Sequence, residues 1–466
     1  MNYKKVKEIA MSSTFGGALL FLSAVAAFIW ANVSPESYHY VWGHSHTINL
    51  APHIETVLEN GVEVEKVSYF MTFTIKSLEL LVNDFLMAIF FFSIGLEIKR
   101  EILVGKLSSF KKAILPVGAA IGGMLVPALV YVAITVISGE HDLASRGWGI
   151  PTATDIAFSL AVMSLLVKQV PIALKVFLMA LAVADDIGAM LVIAIFYTDH
   201  LNFQALAFGL VGVIVLFIAN MMHNRTKFFY YAVGVLVVWT QFLTSGVHAT
   251  IAGLLTGLAF PSAVAIMPGE YTVKAQKLLD KIKGMDEDKE VEKGVPSEKL
   301  AERYAELRHL TARANSPMMT VEHGLAPYVS LFIMPIFALA NAGVTLGEGG
   351  IAEAIVAPVA MGVGLGLFLG KPVGIFLMTL IFVKLKIGKL PEGVNWKQIW
   401  GMGMIAGMGF TMSIFVTSLA FRTSDPSLME KASLMSDESK VAILIASSMA
   451  AICGYMFLRL VSKKKH

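Results

Sequence analysis

Long apolar stretches alternate with polar segments along almost the whole chain, which is the pattern of a protein that crosses a membrane many times. A helix that spans the hydrocarbon core of a bilayer needs about 20 mostly apolar residues. Twelve stretches approach or exceed that length, at 14–33, 78–97, 113–138, 150–167, 172–198, 203–222, 228–245, 247–261, 321–346, 355–383, 398–421 and 439–461. The eighth is short, and its boundary with the seventh is not sharp. The pattern predicts an all-α polytopic membrane protein with about twelve transmembrane helices.

Two segments between the apolar stretches are too polar to lie in a bilayer. Residues 34–77 contain Asn60-Gly61 between alternating apolar residues, a strong signal for a type I′ turn. We expect a small external β-hairpin there, whose edge is suited to pairing with another subunit. Residues 263–320 carry charges of both signs at helical spacing, which favours a solvated, partly helical linker over a regulatory or partner-binding segment.

The distribution of Lys and Arg orients the chain. An even number of spans puts both termini on one side, and cytoplasmic segments carry the excess of basic residues. Of the 37 Lys and Arg, 30 lie in segments on the side of the termini, and Lys371 lies within a span. The six on the opposite side are Lys66, Lys76, Arg146, Arg422, Lys431 and Lys440. We therefore expect both termini in the cytoplasm.

Composition agrees with a membrane protein and narrows its chemistry. Hydrophobic residues make up 56% of the 466 positions and charged residues only 15%. The single cysteine, Cys453, excludes an intramolecular disulfide and a cysteine metal cluster. The basic N-terminus precedes an apolar run without a clear cleavage site, so the first span is expected to be retained. No phosphate-binding loop, zinc spacing or nucleophile elbow occurs, which disfavours ATP-driven transport and hydrolysis. We expect a secondary transporter without a cofactor, not an enzyme.

Two adjacent aspartates, Asp185 and Asp186, lie in the middle of the fifth apolar stretch. A single carboxylate at the centre of a bilayer costs roughly 2.5–3.5 kcal/mol on insertion scales, and two neighbours also repel each other. Such carboxylates usually face a bundle interior or a water-filled path, where they bind cations or carry protons. Transport of cations or protons is therefore the leading functional hypothesis.

The fourth and eleventh stretches are interrupted by residues that disturb a helix. Pro151, Thr152, Thr154 and Asp155 lie within five positions of the fourth, where they remove or compete for backbone hydrogen bonds. The eleventh has four glycines between positions 401 and 409. These spans are the middle members of two trios, spans 3–5 and 10–12. Interruptions in corresponding positions of two halves are the best sequence sign of a binding site in an inverted-repeat transporter.

Broken helices leave partial charges at their new ends, positive at N-termini and negative at C-termini. Asp155 and Lys371 are the candidates that neutralise them. Lys371 lies in the tenth stretch and has two interpretations. One is a lysine that extends to the membrane interface. The other, favoured by the apolar sequence and the Gly and Pro beside it, is a buried partner of an aspartate or of a helix end.

Six stretches closely resemble those of NhaA-type sodium/proton antiporters, in the same order and with similar spacing. They are PTATDIAFSLAVMSLL, VPIALKVFLMALAVADDIGA, SGVHATIAG, FALANAGV, GKPVGI and GMGFTMSIFVTSLAF. Members of this family are inverted-repeat transporters. The resemblance implies a core of ten helices in a fold of twelve spans, with the two broken helices crossing. It also implies a bacterial inner membrane and a homodimer whose interface includes the external hairpin.

The resemblance also implies roles for residues at matching positions. Asp185 and Asp186 would bind Na+ or Li+ and protons. Asp155 would lie where the two broken helices cross, with Thr154 as a neighbouring polar group. Lys371 would pair with Asp185 or neutralise a helix end.

A second set of residues resembles the pH-responsive cluster of that family at the cytoplasmic entrance, namely Glu97, Arg100, Glu101, Glu322 and His323. The first three are equally compatible with a positive-inside anchor that has intrahelical ion pairs. His248 is a further candidate pH sensor, although such a histidine is more often a satisfied buried side chain. Ala326 stands where a second histidine is often expected, and the linker 263–320 is longer than is usual for the family.

These observations predict three parts. Residues 1–262 would hold spans 1–8, including a first repeat unit at 113–198. The cytoplasmic linker 263–320 follows, and residues 321–466 would hold spans 9–12, with a second repeat unit at 355–461. The expected function is pH-regulated, electrogenic exchange of Na+ for H+ by competition for one site. A sodium-coupled organic-anion symporter is the alternative, but it needs an extra polar pocket that the sequence does not indicate.

Overall fold

The computed structural model describes most of the chain, and most of the described part is helical. The described residues are 13–44, 46–59, 62–75, 77–140, 142–198, 201–285, 291–292, 295–345, 350–423 and 425–462. The predicted turn at Asn60-Gly61 and residues 286–290 of the linker lie outside them.

The α-helices account for most of the described residues. In chain order they are α1 (Ser13–Val33), α2 (Pro35–Gly43), α3 (Leu78–Leu81), α4 (Met87–Leu103), α5 (Phe110–Ile137), α6 (Ile156–Leu165), α7 (Ile172–Phe196), α8 (Phe203–Met221), α9 (Lys227–Val233), α10 (Thr240–Ser245), α11 (Ala249–Ala259), α12 (Pro268–Lys283), α13 (Glu298–Ala314), α14 (Pro317–Tyr328), α15 (Met334–Asn341), α16 (Gly350–Val356), α17 (Pro358–Leu365), α18 (Lys371–Lys384), α19 (Trp396–Ala406), α20 (Phe410–Ala420) and α21 (Met429–Val461).

Shorter helical segments of other geometry lie between these helices. Two are 3-10 helices, Lys106–Ser108 and Ala144–Thr152. Four are π-helical segments inserted within longer helices, Val82–Leu86, Gly234–Trp239, Val329–Ile333 and Gly366–Gly370. Single π turns inside α-helices are frequently found at functional sites. The last of the four directly precedes α18 and its first residue, Lys371.

Within the described ranges, nine helices are long and apolar enough to cross a bilayer. They are Phe15–Val33, Leu78–Leu103, Phe110–Ile137, Ile172–Phe196, Phe203–Met221, Lys227–Ser245, Pro317–Asn341, Pro358–Lys384 and Met429–Val461. The helices α19 and α20 make a tenth if they are counted as one span with a bend of 49°. The chain is therefore a predominantly helical, multi-pass membrane protein.

The fourth and eighth expected spans take a different form, which is why they are not among the ten. The 3-10 helix Ala144–Thr152 leads into a non-helical stretch at 153–155, and α6 follows with only ten residues. The proline and the competing side chains of this stretch end the first piece before it reaches spanning length. The eighth appears as α11, whose 11 residues are fewer than a single crossing needs.

The first helices of the two expected repeat units pack directly against each other. Where α5 crosses α18, Gly122 and Gly374 face one another so closely that a Cβ on either would collide with the other's carbonyl oxygen. Close backbone contact through small residues is the usual way in which helices associate in a membrane. The crossing brings the N-terminal end of α18, with Lys371, beside α7, which also packs on α5.

The two polar segments fold outside the long apolar helices. Strands β1 (His46–Glu59) and β2 (Val62–Ile75) pair antiparallel, from His46 opposite Ile75 to Glu59 opposite Val62. In the linker, α12 and α13 lie against each other around a small core that includes Ile266, Leu278 and Leu310. Between them, Val291–Glu292 and Val295–Pro296 form a short antiparallel pair.

Candidate cation site at the helix crossing

Asp185 and Asp186 lie in the middle of α7, and both are buried. Their exposed fractions are 1% and 2%. Consecutive residues of an α-helix point about 100° apart, so the two carboxylates meet different neighbours although they are adjacent in sequence. Val183 and Ala189, which lie on either side of the pair in α7, are also buried, so both carboxylates lie inside the helix bundle.

Lys371 is the basic partner of this pair. Its side chain has no exposed surface, and its Nζ donates a hydrogen bond to Asp185 Oδ2 at 2.9 Å. The same Nζ donates to the backbone carbonyl of Thr152, the last residue of the 3-10 helix. Lys371 therefore compensates both the carboxylate of Asp185 and the negative C-terminal end of the first half of the broken span.

Apart from the oxygen bound by Lys371, the carboxylate oxygens of this pair lack protein partners among the described residues. Asp185 Oδ1 is buried and has no hydrogen-bond partner. Within the described part of the chain, no ion pair or hydrogen bond involves the carboxylate of Asp186. Buried polar atoms in native proteins are almost always hydrogen-bonded, and an exception calls for an explanation. A cation or a proton bound by these oxygens would supply it.

Asp155 joins the two interrupted spans. As the N-cap of α6 it accepts a hydrogen bond from the Phe158 backbone N–H at 3.0 Å. Its other oxygen, Oδ2, accepts from the hydroxyl of Thr411 at 2.5 Å and from the Thr411 backbone N–H at 3.2 Å. Thr411 is the second residue of α20. One carboxylate thus caps the positive N-terminal ends of both α6 and α20.

Further hydrogen bonds hold the two interruptions face to face. The Asp155 backbone N–H donates to the carbonyl of Met408 at 2.8 Å. The Thr154 hydroxyl donates to the carbonyl of Ala406, the last residue of α19, at 3.1 Å. In the opposite direction, the Ser413 hydroxyl donates to the carbonyl of Ile150 at 2.9 Å. Backbone carbonyls that lack a partner within one interrupted span therefore accept hydrogen bonds from the other, which avoids unpaired backbone atoms in the apolar interior.

A second charged cluster lies at the C-terminal end of α4. Arg100 Nε bonds Glu322 Oε1 of α14 at 2.8 Å, and the same guanidinium lies 3.1 Å from Glu101 and 3.8 Å from Glu97. Its side chain is 24% exposed. Three carboxylates thus surround one cation, and Glu322 Oε2 is buried without a partner. We call this group of four residues the entrance cluster.

The two histidines proposed as pH sensors do not join the entrance cluster. His323 follows Glu322 on α14, but its side chain is exposed, and within the described residues no hydrogen bond or ion pair connects it to the cluster. His248 precedes α11, and its Nε2 bonds the carbonyl of Tyr197, which follows the C-terminal end of α7. The half-buried imidazole of His248 therefore lies at the C-terminal end of α7.

Thr411 is a further residue of the site, to which the sequence analysis assigned no role. Its hydroxyl and amide make two of the three hydrogen bonds to the Asp155 side chain. A hydroxyl directly after the glycines of GMGFTMS was the available sign, since such a residue can act at the start of the second half-helix.

Known proteins of similar sequence are Na+/H+ antiporters. The family model described as Na+/H+ antiporter 1 matches residues 7–458. The chain belongs to this family. It is 42% identical to the Na+/H+ antiporter NhaA 1 of Psychromonas ingrahamii, with 95% of this chain and 93% of that protein covered. It is also 42% identical to the Na+/H+ antiporter NhaA of Helicobacter pylori, with 100% and 99% covered.

Membership of the Na+/H+ antiporter 1 family makes the protein a transporter and not an enzyme. The chemistry of the crossing is compatible with that role. Na+ is a hard cation and prefers carboxylate, hydroxyl and carbonyl oxygens, by extension of the rules for Mg²⁺ and Ca²⁺. Asp185 and Asp186 supply buried carboxylate oxygens of this kind, and the same carboxylates can hold protons.

Proposed function

We propose that the protein exchanges Na+ or Li+ for H+ by letting the two ions compete for Asp185 and Asp186. The observation that carries this proposal is that Asp185 Oδ1 is buried and has no hydrogen-bond partner. Beside it, Asp186 is only 2% exposed, and its carboxylate has no hydrogen bond or ion pair with the described residues. A proton on either group removes the charge that attracts sodium, and a bound sodium ion displaces protons. Family membership supports these two ions as the cargo.

Lys371, Asp155 and Thr154 have supporting roles in this proposal. Lys371 offsets one of the two negative charges, so that the site keeps a net charge of about −1 when both carboxylates are ionised. Asp155 and Thr154 hold the two broken spans together, and Asp155 neutralises two positive helix ends. Alternating access would come from movement of one bundle against the other around this fixed site. Two protons per sodium ion would move one net charge in each cycle, which makes exchange electrogenic.

The entrance cluster is our candidate for pH regulation. Glu97, Arg100, Glu101 and Glu322 place three carboxylates around one partly exposed guanidinium. Protonation of any of the three carboxylates changes the charge at the entrance through which we expect sodium to reach the site. His323 and His248 are secondary candidates in this proposal, because neither is in contact with that group of side chains.

The membrane arrangement that we infer has twelve spans, with the interrupted fourth and the short eighth included. Both termini would lie in the cytoplasm of a bacterium, in its inner membrane, as the distribution of Lys and Arg indicates. The contact of α5 with α18 through paired glycines supports two repeat units at 113–198 and 355–461. The linker 263–320 would then be cytoplasmic.

A proton-flux assay tests the proposed exchange. Sealed vesicles that contain the purified protein should release protons when sodium is added to one side, and Asp185→Asn or Asp186→Asn should abolish the release. Asp280→Asn, on the linker helix α12, is the matched control and should retain it. Normal flux in either aspartate variant would overturn the assignment of the site.

The dependence of sodium affinity on pH tests whether the two ions share one site. In the pH range where the pair is protonated, displacement of one proton per sodium weakens sodium binding about tenfold per pH unit, and of two protons about a hundredfold. The slope therefore counts exchanged protons. A flat line from about pH 6 to 9 with transport still active would require separate sites for sodium and protons.

We also propose a homodimer that pairs through the hairpin of β1 and β2. An exposed edge strand is a template for pairing with another chain. Deletion of residues 57–65 should weaken dimerisation, measured by analytical ultracentrifugation in detergent, without stopping exchange. Loss of transport in a well-folded monomer would contradict a protomer that carries a complete ion path.

A further inference from the structure

A large cavity opens at one end of the helices that carry the candidate cation site. Its volume is about 1050 Å³, and it lies between the first turns of α5 and α7 and the segment that follows α18. Its floor is apolar and includes the buried side chains of Leu115 and Phe177. The exchange mechanism proposed above does not use this cavity.

The rim of the cavity is strongly basic. Lys111 and Lys112 lie in the first turn of α5, and Lys386 and Lys389 lie in the segment after α18. All four side chains are exposed, and none has an ion pair or a hydrogen bond with the described residues. The lining holds one carboxylate, that of Glu392. This excess of positive charge makes the cavity unsuitable as a path for sodium and suitable for an anion.

The backbone adds to the positive potential of the same cavity. Both α5 and α7 begin there, and neither has a side-chain N-cap hydrogen bond or an acidic residue in its first turn. Unsatisfied N–H groups at a helix start attract anions, and nearby cations are unfavourable there unless an anion offsets them. Two such ends and four lysines converge on one space.

The position of the cavity along the spans identifies the kind of anion. Phe110 and Ile172 are the first residues of two membrane-spanning helices and Lys384 is the last residue of a third, so the rim lies at the boundary between hydrocarbon and water. The side chain of Ile172 is 75% exposed beside the rim, where an acyl chain would lie. Basic pockets at this level of a membrane protein suit the head groups of anionic lipids.

We propose that this cavity binds an anionic phospholipid, with the phosphate among the four lysines and an acyl chain along the apolar floor and Ile172. The lipid would join the ends of α7 and α18, the two helices that carry Asp185, Asp186 and Lys371. It would thereby hold together the bundle that bears the ion site. The leaflet is the cytoplasmic one if the proposed orientation is right, but the binding itself does not depend on that orientation or on exchange activity.

Native mass spectrometry of the purified full-length protein can test this site. Dioleoyl phosphatidylglycerol or dioleoyl phosphatidylcholine is titrated into the detergent solution, and bound lipids per protomer are counted. In one variant, Lys111, Lys112, Lys386 and Lys389 are all changed to Gln. The affinity of the wild type for phosphatidylglycerol should exceed that of this variant by about tenfold or more. A variant with the same four lysines changed to Arg should retain binding. Phosphatidylcholine should not distinguish these proteins.

The matched control removes the same charge elsewhere on the same side. Lys277, Lys281, Lys283 and Lys299 are exposed on α12 and α13, away from the cavity, and their change to Gln should leave phosphatidylglycerol binding within about twofold. Equal losses in the two Gln variants would overturn the proposal in favour of nonspecific attraction. Displacement of the lipid by millimolar inorganic phosphate would also overturn it, because the site would then bind a free anion. The Lys386→Gln/Lys389→Gln variant, which changes only exposed side chains after α18, repeats the test if the fourfold variant does not fold.

Discussion

The two charged clusters of the membrane part are built in different ways. At the crossing, Lys371 is fully buried and pairs with the single carboxylate of Asp185 at 2.9 Å. At the entrance cluster, the Arg100 side chain is 24% exposed and forms ion pairs with three carboxylates. Charges in the first cluster are shielded from water. In the second, water and salt reach Arg100 and Glu97, which are partly exposed, whereas Glu101 and Glu322 are buried.

Because of this difference in burial, the two clusters are suited to different functions. A buried pair contributes little net stability, because desolvation offsets the attraction, but the loss of one partner leaves an uncompensated charge. Partly exposed ion pairs are individually weak and easily rearranged. The crossing is therefore suited to hold a cargo ion against Asp186 with a fixed charge balance. The entrance cluster is suited to respond to pH without disturbing the fold.

Lys371→Ala should have the largest effect on stability. Breaking a buried pair typically costs about 3–5 kcal/mol, because Asp185 and the helix end at Thr152 both lose the Lys371 ammonium group that bonds them. Lys371→Arg should cost less, since it keeps the charge in a different shape. Thermal unfolding in detergent measures both variants. Arg100→Gln is the comparison at the entrance cluster and should cost less than Lys371→Ala, because the Arg100 side chain is 24% exposed whereas that of Lys371 is fully buried. Equal midpoints for Lys371→Ala and Arg100→Gln would remove the distinction between the clusters.

A second substitution should then recover part of the loss at the crossing. In the Lys371→Ala background, Asp185→Asn removes the carboxylate that has become unpaired, and we expect a gain of about 2 kcal/mol relative to the single variant. The same Asp185→Asn change in the wild type should destabilise the protein, because it leaves Lys371 buried without its partner. Additive effects of the two changes in thermal unfolding would show that the pair is not coupled.

The charged residues of the crossing could be predicted because each is isolated in an apolar stretch. A membrane leaves few places for Asp185, Asp186 and Lys371 other than a bundle interior. The role of Thr411 could not be predicted, because its contact with Asp155 joins residues 256 positions apart. That contact exists only after both spans have broken and their breaks have met, and local sequence contains no information on how two distant segments face each other.

The same limit applies to the fold. Length and apolarity predicted the nine long spans, because each of them is specified by its own residues. The interruption near Pro151 was predicted from local chemistry, but the 3-10 geometry of Ala144–Thr152 was not, since packing against α5 and α20 decides it. The π-helical segment before Lys371 likewise has no sign in the sequence.

Thr411→Val should destabilise the protein by about 1–2 kcal/mol. Valine keeps the volume of threonine but removes the hydroxyl that bonds the Asp155 carboxylate, which keeps its two backbone donors. The matched control is Thr417→Val in the same helix, α20, where the buried hydroxyl bonds only the carbonyl of Ser413 in the preceding turn. Thermal unfolding should place the control between Thr411→Val and the wild type. A larger loss in the control would contradict the assigned role of the Asp155–Thr411 contact.

Glu322→Gln should have the smallest effect on stability and a visible effect on regulation. Glutamine keeps the shape of the side chain, and Arg100 still contacts Glu101 at 3.1 Å, so we expect a change within about 1 kcal/mol. The loss of one of three negative charges should move the pH at which exchange is half-maximal. The maximal rate should stay within about twofold, because the crossing is untouched. Proton flux at saturating sodium from pH 6 to 9 measures both quantities, with Glu302→Gln on the exposed face of α13 as the control. If the profile of Glu322→Gln matched that of the control, the entrance cluster would be an anchor of ion pairs at a helix end, and the sensor of pH would have to lie elsewhere.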